Sequence, residues 1–274
     1  MMFVRERPRS RKTEGLQARA DELECLNASL RAELRSHERS EGHLRRINAD
    51  LEMLNRSIAH DLKAPLRAIQ AHAAMLDEEH RCELADDAVV HVEHIRHDVV
   101  RLNNLLDDLL TLSRFGAGFA GKTSLDLEKV FNEALSHLGQ MVEETGATVT
   151  QQFKARRMRG YRAALLQAFI NLLTNAMKFQ AAGQIPKIDV GSDVRADEVV
   201  IWVRDNGVGI AHQHLEHIFK PFERLSPGQF DGTGIGLPIV QKAVEAHEGR
   251  IEVNSEPGHG SEFLIFLPGA ILED

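Results

Sequence analysis

A strict seven-residue repeat of apolar side chains constrains this chain more than any other feature. One heptad position is filled by Leu16, Leu23, Leu30, Leu44, Leu51 and Ile58, and the d position by Leu26, Ile47 and Leu54. Such a stripe is the seam of a coiled coil, so it predicts a long helix that pairs with a second copy of the chain. His37 makes the middle of the seam polar, either as a flexible point in a signalling rod or merely as a weak part of the helix.

The seam continues into the segment SIAHDLKAPLRAI, residues 57–69. Its apolar side chains share one helix face, and His60 lies off that face. Pro65 lacks an N–H, so the carbonyl of Asp61 loses its helical partner and the helix is loosened or bent after the histidine. A neutral imidazole is a nucleophile near pH 7, and a neighbouring carboxylate can hold its ring proton. His60 is therefore the candidate nucleophile and Asp61 its acid/base partner.

A second amphipathic helix is predicted at about Asp86 to Arg114, after the polar connector DEEHRCELADD. Two helices joined by a short link form an antiparallel hairpin, which is too thin to bury its own apolar stripe. We therefore expect two chains to form a dimeric four-helix bundle. Two histidine triplets are interpreted as polar surface rather than metal sites: His91, His94 and His97, and His212, His214 and His217.

The predicted secondary structure changes from long helices to short helices and strands after a glycine-rich linker at residues 115–124. Residues 125–145 look helical after a short extended start, and further helices are predicted at Ala163–Gln180 and Ile235–Ala246. Five segments have the pattern of strands: ATVTQQF, KIDVGS, VVIWV, RIEVNS and EFLIFL. This mixture predicts an α/β sandwich in which one mixed sheet carries helices on a face.

Polar side chains recur on one face of the helix predicted at Ala163–Gln180. Asn171, Asn175 and Lys178 follow one another at spacings of four and three. Amide oxygens can ligate Mg²⁺, and a lysine can neutralise phosphate, so the row fits a polyphosphate with its metal. A solvated helix face would show the same pattern.

The segment DNGVGI places a carboxylate directly after a predicted strand. Gly207 and Gly209 permit a sharp turn, which leaves Asp205 at the strand end facing a cleft. A buried carboxylate accepts a hydrogen bond from the exocyclic amine of adenine but not from the carbonyl of guanine, so the site should prefer ATP. An ordinary turn is the alternative.

The segment DGTGIGL leads into the helix predicted at Ile235–Ala246, in which Pro238 suits the first turn. Backbone N–H groups of such a loop can cradle phosphates. The spacing matches neither the Walker nor the Rossmann fingerprint. Between the two glycine segments, IFKPFERLSPGQF carries Phe219, Phe222 and Phe230, and it is either a lid over a nucleotide or a surface loop held down by its phenylalanines.

Charge and cysteine content exclude several classes. The net charge of −8 argues against a nucleic-acid surface, and Cys25 and Cys82 match no metal spacing and suit a reducing compartment. No apolar run is long enough to span a membrane, so we expect a cytoplasmic protein. The basic opening MMFVRERPRSRK is expected to be a disordered tail, with contact to anionic lipid or a partner as the alternative.

Five segments in this order resemble sensor histidine kinases of two-component signalling. HDLKAPL resembles the phospho-acceptor box, NLLTNAMKF the N box, DNGVGI the first glycine box, IFKPFERL the F box and GTGIGL the second glycine box. HDLKAPLRAI with LLDDLLTLSR is most similar to the phytochrome-associated type. The resemblance implies a HisKA hairpin followed by a Bergerat-type HATPase_c domain. It also implies autophosphorylation by ATP and Mg²⁺, then transfer to an Asp of a response-regulator receiver.

By position, the resemblance makes His60 the phosphorylated residue, Asp61 its acid/base partner and Asn175 the Mg²⁺ ligand. The expected nucleotide-binding residues are Asn171, Asn175, Lys178, Phe179, Asp205, Gly207, Gly209, Phe222, Gly232, Thr233, Gly234, Ile235, Gly236 and Leu237. Ala64 stands where many members carry Thr or Asn, which puts a phosphatase activity toward the regulator in doubt. Tyr161 and Glu248 also depart from the common pattern, away from the chemistry.

The predicted organisation has six parts. They are a disordered basic tail at 1–13, a coiled-coil signalling helix at 14–55, the phosphotransfer hairpin at 56–114, the linker at 115–124, the ATP-binding domain at 125–268 and a tail at 269–274. No sensor domain is visible, so the input is expected from a partner or from a longer protein. A dimeric scaffold without transfer activity is one alternative. An ATPase of the gyrase and mismatch-repair group is another, but no Glu or Asp lies between Tyr161 and Gln180 to activate water.

Overall fold

The computed structural model describes residues 11–78, 81, 84–115, 121–223, 230 and 232–268. The chain divides into two units, one ending at Asp50 and one beginning at Leu51. The C-terminal tail predicted at 269–274 lies outside the described residues, as do residues 1–10 of the predicted N-terminal tail, the middle of the linker and the middle of the predicted lid. No helix within the described ranges is long and apolar enough to cross a membrane.

The predicted long helix is present as α1, Arg11–Glu78, which begins inside the segment predicted as a disordered tail. Pro65 lies within α1 and does not end it. In the first unit, Leu23, Leu26, Leu30 and Ile47 of the predicted seam are exposed. A helix with an exposed heptad stripe has a face for a partner helix.

The second predicted helix is α2, Asp86–Arg114. Ion pairs show that α2 runs antiparallel to the end of α1, since Lys63 pairs with Asp107 whereas Asp77, further along α1, pairs with the earlier Arg96. A small apolar core joins the two helices at Ala59, Leu66, Val99 and Leu106. The predicted helical hairpin is therefore confirmed within one chain.

The remainder of the second unit alternates short helices and strands. Its elements are β1 (Thr123–Asp126), α3 (Leu127–His137), α4 (Gly139–Thr145), β2 (Thr148–Phe153), β3 (Arg157–Gly160), α5 (Arg162–Lys178), β4 (Lys187–Arg195), β5 (Glu198–Asp205), a 3₁₀ turn (His212–His214), α6 (Gly236–Ala246), β6 (Arg250–Ser255) and β7 (Ser261–Pro268). The five predicted strands form one sheet in the order β2-β4-β5-β7-β6, with only β2 and β4 parallel. The predicted mixed sheet is confirmed.

Two features of this region differ from the prediction. The four-residue strands β1 and β3 form a separate antiparallel ribbon, and β1 begins inside the predicted linker. The segment 125–145 is also divided at Leu138 into α3 and α4. Strand β1 matches the short extended start predicted before the helix, whereas β3 was not predicted, because a strand of four residues is too short to show a clear alternation of apolar and polar side chains.

Helices α3, α5 and α6 cover one face of the sheet. Alternate residues of the sheet point into this core, among them Ile188, Val199, Ile201, Val203 and Ile265. The Phe131 ring of α3 meets the Phe169 ring of α5 edge-on, with the ring centroids 5.4 Å apart. Burial of this apolar surface holds α5 and α6 in place, and the candidate site lies between them and the end of β5.

The only tryptophan, Trp202, lies on the opposite face of the sheet and is 9% exposed. It packs over Gly191 of the neighbouring strand, where an added Cβ would lie 2.3 Å from the indole ring. The Arg204 guanidinium lies 5.7 Å from the centroid of the indole. Because this single indole is buried in the sheet, its fluorescence reports unfolding of the second unit.

A buried histidine connects the end of α6 to the start of α5. His247 is 1% exposed, its Nε2 accepts the backbone N–H of Tyr161 at 2.8 Å, and its Nδ1 lies 2.7 Å from the Ala243 carbonyl oxygen. Because Nε2 accepts, the ring proton is on Nδ1 and the imidazole is neutral. Burial lowers the pKa of His247, although its hydrogen bond to Ala243 opposes the shift.

This lowered pKa predicts a loss of stability in mild acid. Below about pH 6.5 the histidine is protonated in the unfolded chain, whereas His247 in the folded protein stays neutral. The unfolded state then binds more protons, so the wild-type free energy of unfolding should fall as pH decreases from 7 to 5. In His247→Leu the Tyr161 N–H loses its imidazole acceptor, which should cost about 1–3 kcal/mol at pH 8, and the decline in acid should be shallower than in the wild type. Urea unfolding followed by Trp202 fluorescence measures both quantities. Equal slopes would contradict the assignment of a neutral buried imidazole.

Candidate functional site

A cavity of about 440 Å³ lies between α5, the turn after β5 and the loop before α6. This volume is in the range of sites that hold drug-sized ligands. Most of the predicted nucleotide-binding residues line it: Asn171, Asn175, Lys178, Phe179, Asp205, Gly209, Gly232, Thr233, Gly234, Gly236 and Leu237. Gly207, Phe222 and Ile235 are not among the lining residues. Three segments far apart in sequence thus meet around one cavity.

Asp205 lines the cavity from the last position of β5. Its Oδ1 accepts the backbone N–H groups of Gly207 at 2.8 Å and Ser261 at 3.2 Å. Burial raises the pKa of the Asp205 carboxyl, and these two hydrogen bonds oppose the shift. With Oδ1 fixed by the backbone, Oδ2 is the carboxylate oxygen that can serve a ligand.

The turn after β5 depends on close backbone packing. Gly209 has a φ of +69°, and a Cβ there would lie 1.9 Å from the Glu256 carbonyl oxygen. A Cβ on Gly207 would lie 2.4 Å from the Phe179 carbonyl oxygen, which itself accepts the Val208 N–H at 2.9 Å. Gly207 therefore shapes the site through backbone packing against the end of α5.

Polar side chains of α5 that line the cavity face the glycine loop, residues 232–236. A Cβ on Gly232 would lie 2.5 Å from Lys178 Nζ, and one on Gly236 would lie 2.9 Å from Asn171 Oδ1. The Asn171 amide nitrogen donates to the Gln167 carbonyl at 3.0 Å, which leaves Oδ1 directed at the loop. A lysine, amide oxygens and a glycine cradle form a donor set that fits phosphates with a hard cation such as Mg²⁺.

The described ends of the predicted lid contact the site in different ways. Phe222 is 62% exposed with a φ of +66°, and its backbone N–H donates to the Gly234 carbonyl at 3.0 Å. It therefore supports the glycine loop from outside the cavity. The Phe230 ring lines the cavity and meets the Phe179 ring edge-on at 5.2 Å between centroids. Residues 224–229 lie outside the described residues, so the lid itself stays a prediction.

The cavity also has a wall that the sequence analysis missed. Asn104, Asp107 and Asp108 of α2 line it, and the Thr233 hydroxyl donates to Asp108 Oδ2 at 2.5 Å. The adjacent acidic pair in LLDDLLTLSR interrupts an apolar run, which was the only signal in the sequence. Its place at the cavity depends on how the hairpin meets the sheet domain.

The predicted nucleophile does not line the cavity. The His60 side chain is 84% exposed, and its Nδ1 lies 3.2 Å from Asp61 Oδ1. Lys63, one turn further along α1, pairs with the cavity residue Asp107. Within the described part of the chain, no three histidine, cysteine or acidic side chains cluster in a way that could hold a metal ion.

The fold and the cavity define a phospho-acceptor hairpin joined to an ATPase-type domain, and two family models match accordingly. Residues 50–118 match the His Kinase A (phospho-acceptor) domain, and residues 160–271 match the Histidine kinase-, DNA gyrase B-, and HSP90-like ATPase. The chain belongs to the sensor histidine kinases.

Two curated relatives are similar over most of this chain. Phytochrome-like protein Cph1 from Synechocystis sp. is 35% identical over 82% of this chain and 30% of its own length. The methanogenesis regulatory histidine kinase FilI from Methanothrix harundinacea is 32% identical over 83% of this chain and 26% of its own length. The chain therefore spans about three tenths of the length of these relatives.

Among solved structures, full-length ShkA in complex with AMPPNP has a TM-score of 0.61 at 24% identity, over 81% of this chain and 47% of that one. The Acinetobacter baumannii histidine kinase AdeS has a TM-score of 0.54 at 21% identity, over 77% of this chain and 98% of that one. These likenesses support the fold.

Proposed function

We propose that this chain is an ATP-dependent protein histidine kinase that phosphorylates its own His60 and donates the phosphoryl group to an Asp of a response-regulator receiver. One observation carries the proposal. The unit that presents His60 beside Asp61 on an exposed helix also holds a cavity lined by Asp205, by Lys178 and by the glycine loop. A nucleophile and a nucleotide site in one unit are the two parts that phosphoryl transfer requires.

The contact between His60 and Asp61 determines which ring nitrogen attacks. With the ring proton on Nδ1, held by Asp61 Oδ1 at 3.2 Å, the lone pair on Nε2 is free to act as nucleophile. Nε2 forms a bond to the γ-phosphorus while the bond from that phosphorus to the bridging oxygen breaks, and ADP leaves. The Asp61 carboxylate stabilises the positive charge that develops on the imidazole.

The cavity supplies positioning and charge for this step. Asp205 Oδ2 accepts a hydrogen bond from the exocyclic amine of adenine, and Lys178 with the glycine loop binds the triphosphate. Asn175, with Asn171 beside it, would hold Mg²⁺, which when bound neutralises charge on the phosphate oxygens. The AMPPNP bound in the ShkA structure, a protein of the same fold, agrees with a nucleotide in this cavity.

Exposed apolar side chains support a homodimer. Ile58, Leu62 and Ile69 of α1 and Ile95 and Leu102 of α2 are exposed on the single hairpin. Pairing two hairpins into a four-helix bundle would bury these side chains. The seam of α1 would continue the pairing toward the N-terminus, so a signal from a partner or a preceding domain could reach the hairpin through it.

The test is autophosphorylation with γ-labelled ATP. The wild type should gain acid-labile label, and His60→Gln should lose it by more than about 10³-fold because the attacking nitrogen is absent. His72→Gln, an exposed histidine on the same helix, is the matched control and should keep the label. All three proteins should bind AMPPNP equally.

Two results would contradict parts of the proposal. Retained label in His60→Gln would refute the assignment of the nucleophile. If the wild type bound AMPPNP but gained no label, the chain would be the alternative, a dimeric scaffold that binds nucleotide without transferring phosphate.

A further inference from the structure

Asp108 of the hairpin occupies the end of the cavity where phosphates are expected. Its Oδ2 accepts the hydroxyl of Thr233, which lies between Gly232 and Gly234 in the glycine loop. The same hydroxyl oxygen accepts the Ile235 backbone N–H at 3.3 Å, so the loop itself orients Thr233 toward the carboxylate. The contact joins residues 125 positions apart and holds the glycine loop against α2.

The groups around Asp108 are ones that would also bind a phosphate. Burial raises the pKa of the Asp108 carboxyl, whereas the hydrogen bond from Thr233 and the charge of Lys178, which lines the same cavity, act to lower it. The neighbouring carboxylate of Asp107 is paired with Lys63 of α1. Asp108 therefore interacts with two groups that are proposed to bind phosphate, the Thr233 hydroxyl and the Lys178 ammonium.

The arrangement with Asp108 on the loop is not the one that transfers phosphate. His60 and Asp61 do not line the cavity, whereas Asp107 and Asp108 of the facing helix do. An in-line attack needs the imidazole within about 3–3.5 Å of the phosphorus. The catalytic domain must therefore leave α2 before the His60 of the same chain can be phosphorylated.

We propose that Asp108 is an internal competitor of the γ-phosphate, which holds the glycine loop on the hairpin until a bound triphosphate displaces it. This inference rests on the proposed function and adds its regulation. A triphosphate brings negative charge to the position of the Asp108 carboxylate, and the two cannot share Thr233 and Lys178. ADP lacks the γ-phosphate and leaves the contact in place. Binding of ATP itself thus frees the catalytic domain to approach His60.

Nucleotide affinity provides the first test, measured by calorimetry with AMPPNP and with ADP in the presence of Mg²⁺. Asp108→Asn removes the competing charge, so it should raise the affinity for AMPPNP about five- to tenfold and that for ADP by less than about twofold. Asp98→Asn makes the same charge change at an exposed position of α2 that does not line the cavity, and it should change neither. Equal gains for both nucleotides, or a loss for AMPPNP, would overturn the proposal.

The second test follows the separation of the catalytic domain from α2 with Asp108 and Thr233 left intact. Asp98→Cys on α2 and Lys242→Cys on α6, both at exposed positions, carry a fluorescent donor and acceptor in a chain with Cys25→Ser and Cys82→Ser. AMPPNP should lower the energy transfer between the two dyes, and ADP should not. Unchanged transfer with AMPPNP, or an equal drop with ADP, would refute displacement of the loop.

These outcomes separate the regulation from the activity. A wild type that binds no AMPPNP would contradict the proposed kinase itself. A wild type that binds AMPPNP and labels His60, with no selective gain in Asp108→Asn, would contradict only the role of Asp108.

Discussion

Replacing Asp205 by Asn is expected to lower the affinity for ATP by about 10- to 100-fold. The Oδ1 position keeps its bonds from Gly207 and Ser261, but the oxygen proposed to face adenine becomes an amide NH₂. A donor then faces the exocyclic amine, which is also a donor, and both are left unpaired. Guanine presents an acceptor at the same place, so the preference for ATP over GTP should shrink or reverse. Competition binding with both nucleotides measures the two effects.

Asp193→Asn is the matched control for this prediction. Asp193 lies on β4 of the same sheet, where it pairs with Lys154 at 3.3 Å and is not a lining residue of the cavity. Its substitution should leave both affinities unchanged. If Asp205→Asn bound ATP as tightly as the wild type, with Trp202 fluorescence showing an intact fold, Asp205 would not be the adenine acceptor.

Gly209→Ala is expected to destabilise the second unit by about 3–5 kcal/mol, or to prevent folding. Two causes add at this position. The φ of +69° strains any residue with a Cβ, and the added carbon would lie 1.9 Å from the Glu256 carbonyl oxygen. Urea unfolding followed by Trp202 fluorescence gives the change in the free energy of unfolding.

Gly258→Ala is the control that carries only the first cause. Gly258 has a φ of +83°, but nothing lies within 4 Å of an added Cβ, so this variant should lose only about 1 kcal/mol. The difference between the two variants is the cost of the close approach between the turn after β5 and residue 256. Equal losses would show that backbone strain alone explains the glycine at position 209.

Local patterns were sufficient for most of the elements and for most of the residues that line the cavity. The heptad stripe predicted α1, and three- and four-residue spacing predicted α2, because helical periodicity is written in consecutive residues. Asn171, Asn175, Lys178 and Asp205 were recognised individually by chemistry, and the structure gathers them around one cavity. Their roles toward nucleotide and metal stay predictions until the binding experiments are done.

The sequence was less informative where an outcome depended on packing between distant segments. Phe222 was expected at the nucleotide, but its N–H supports the glycine loop while Phe230 takes the place in the cavity. His247, one of fourteen histidines, had no local pattern to distinguish it as the buried link between α5 and α6. Contacts of this kind depend on how the helices pack against the sheet, and this packing cannot be predicted from a single sequence.

By itself, the sequence determined the family, the order of the elements and the residues with the chemistry for phosphoryl transfer, because each is encoded in short segments with their own periodicity or turn residues. Only the tertiary structure decided that Asp108 of the hairpin binds Thr233 of the glycine loop while His60 lies outside the cavity. That contact joins side chains 125 residues apart. It depends on the packing of α6 against α2, which brings two polar groups together that no local pattern relates.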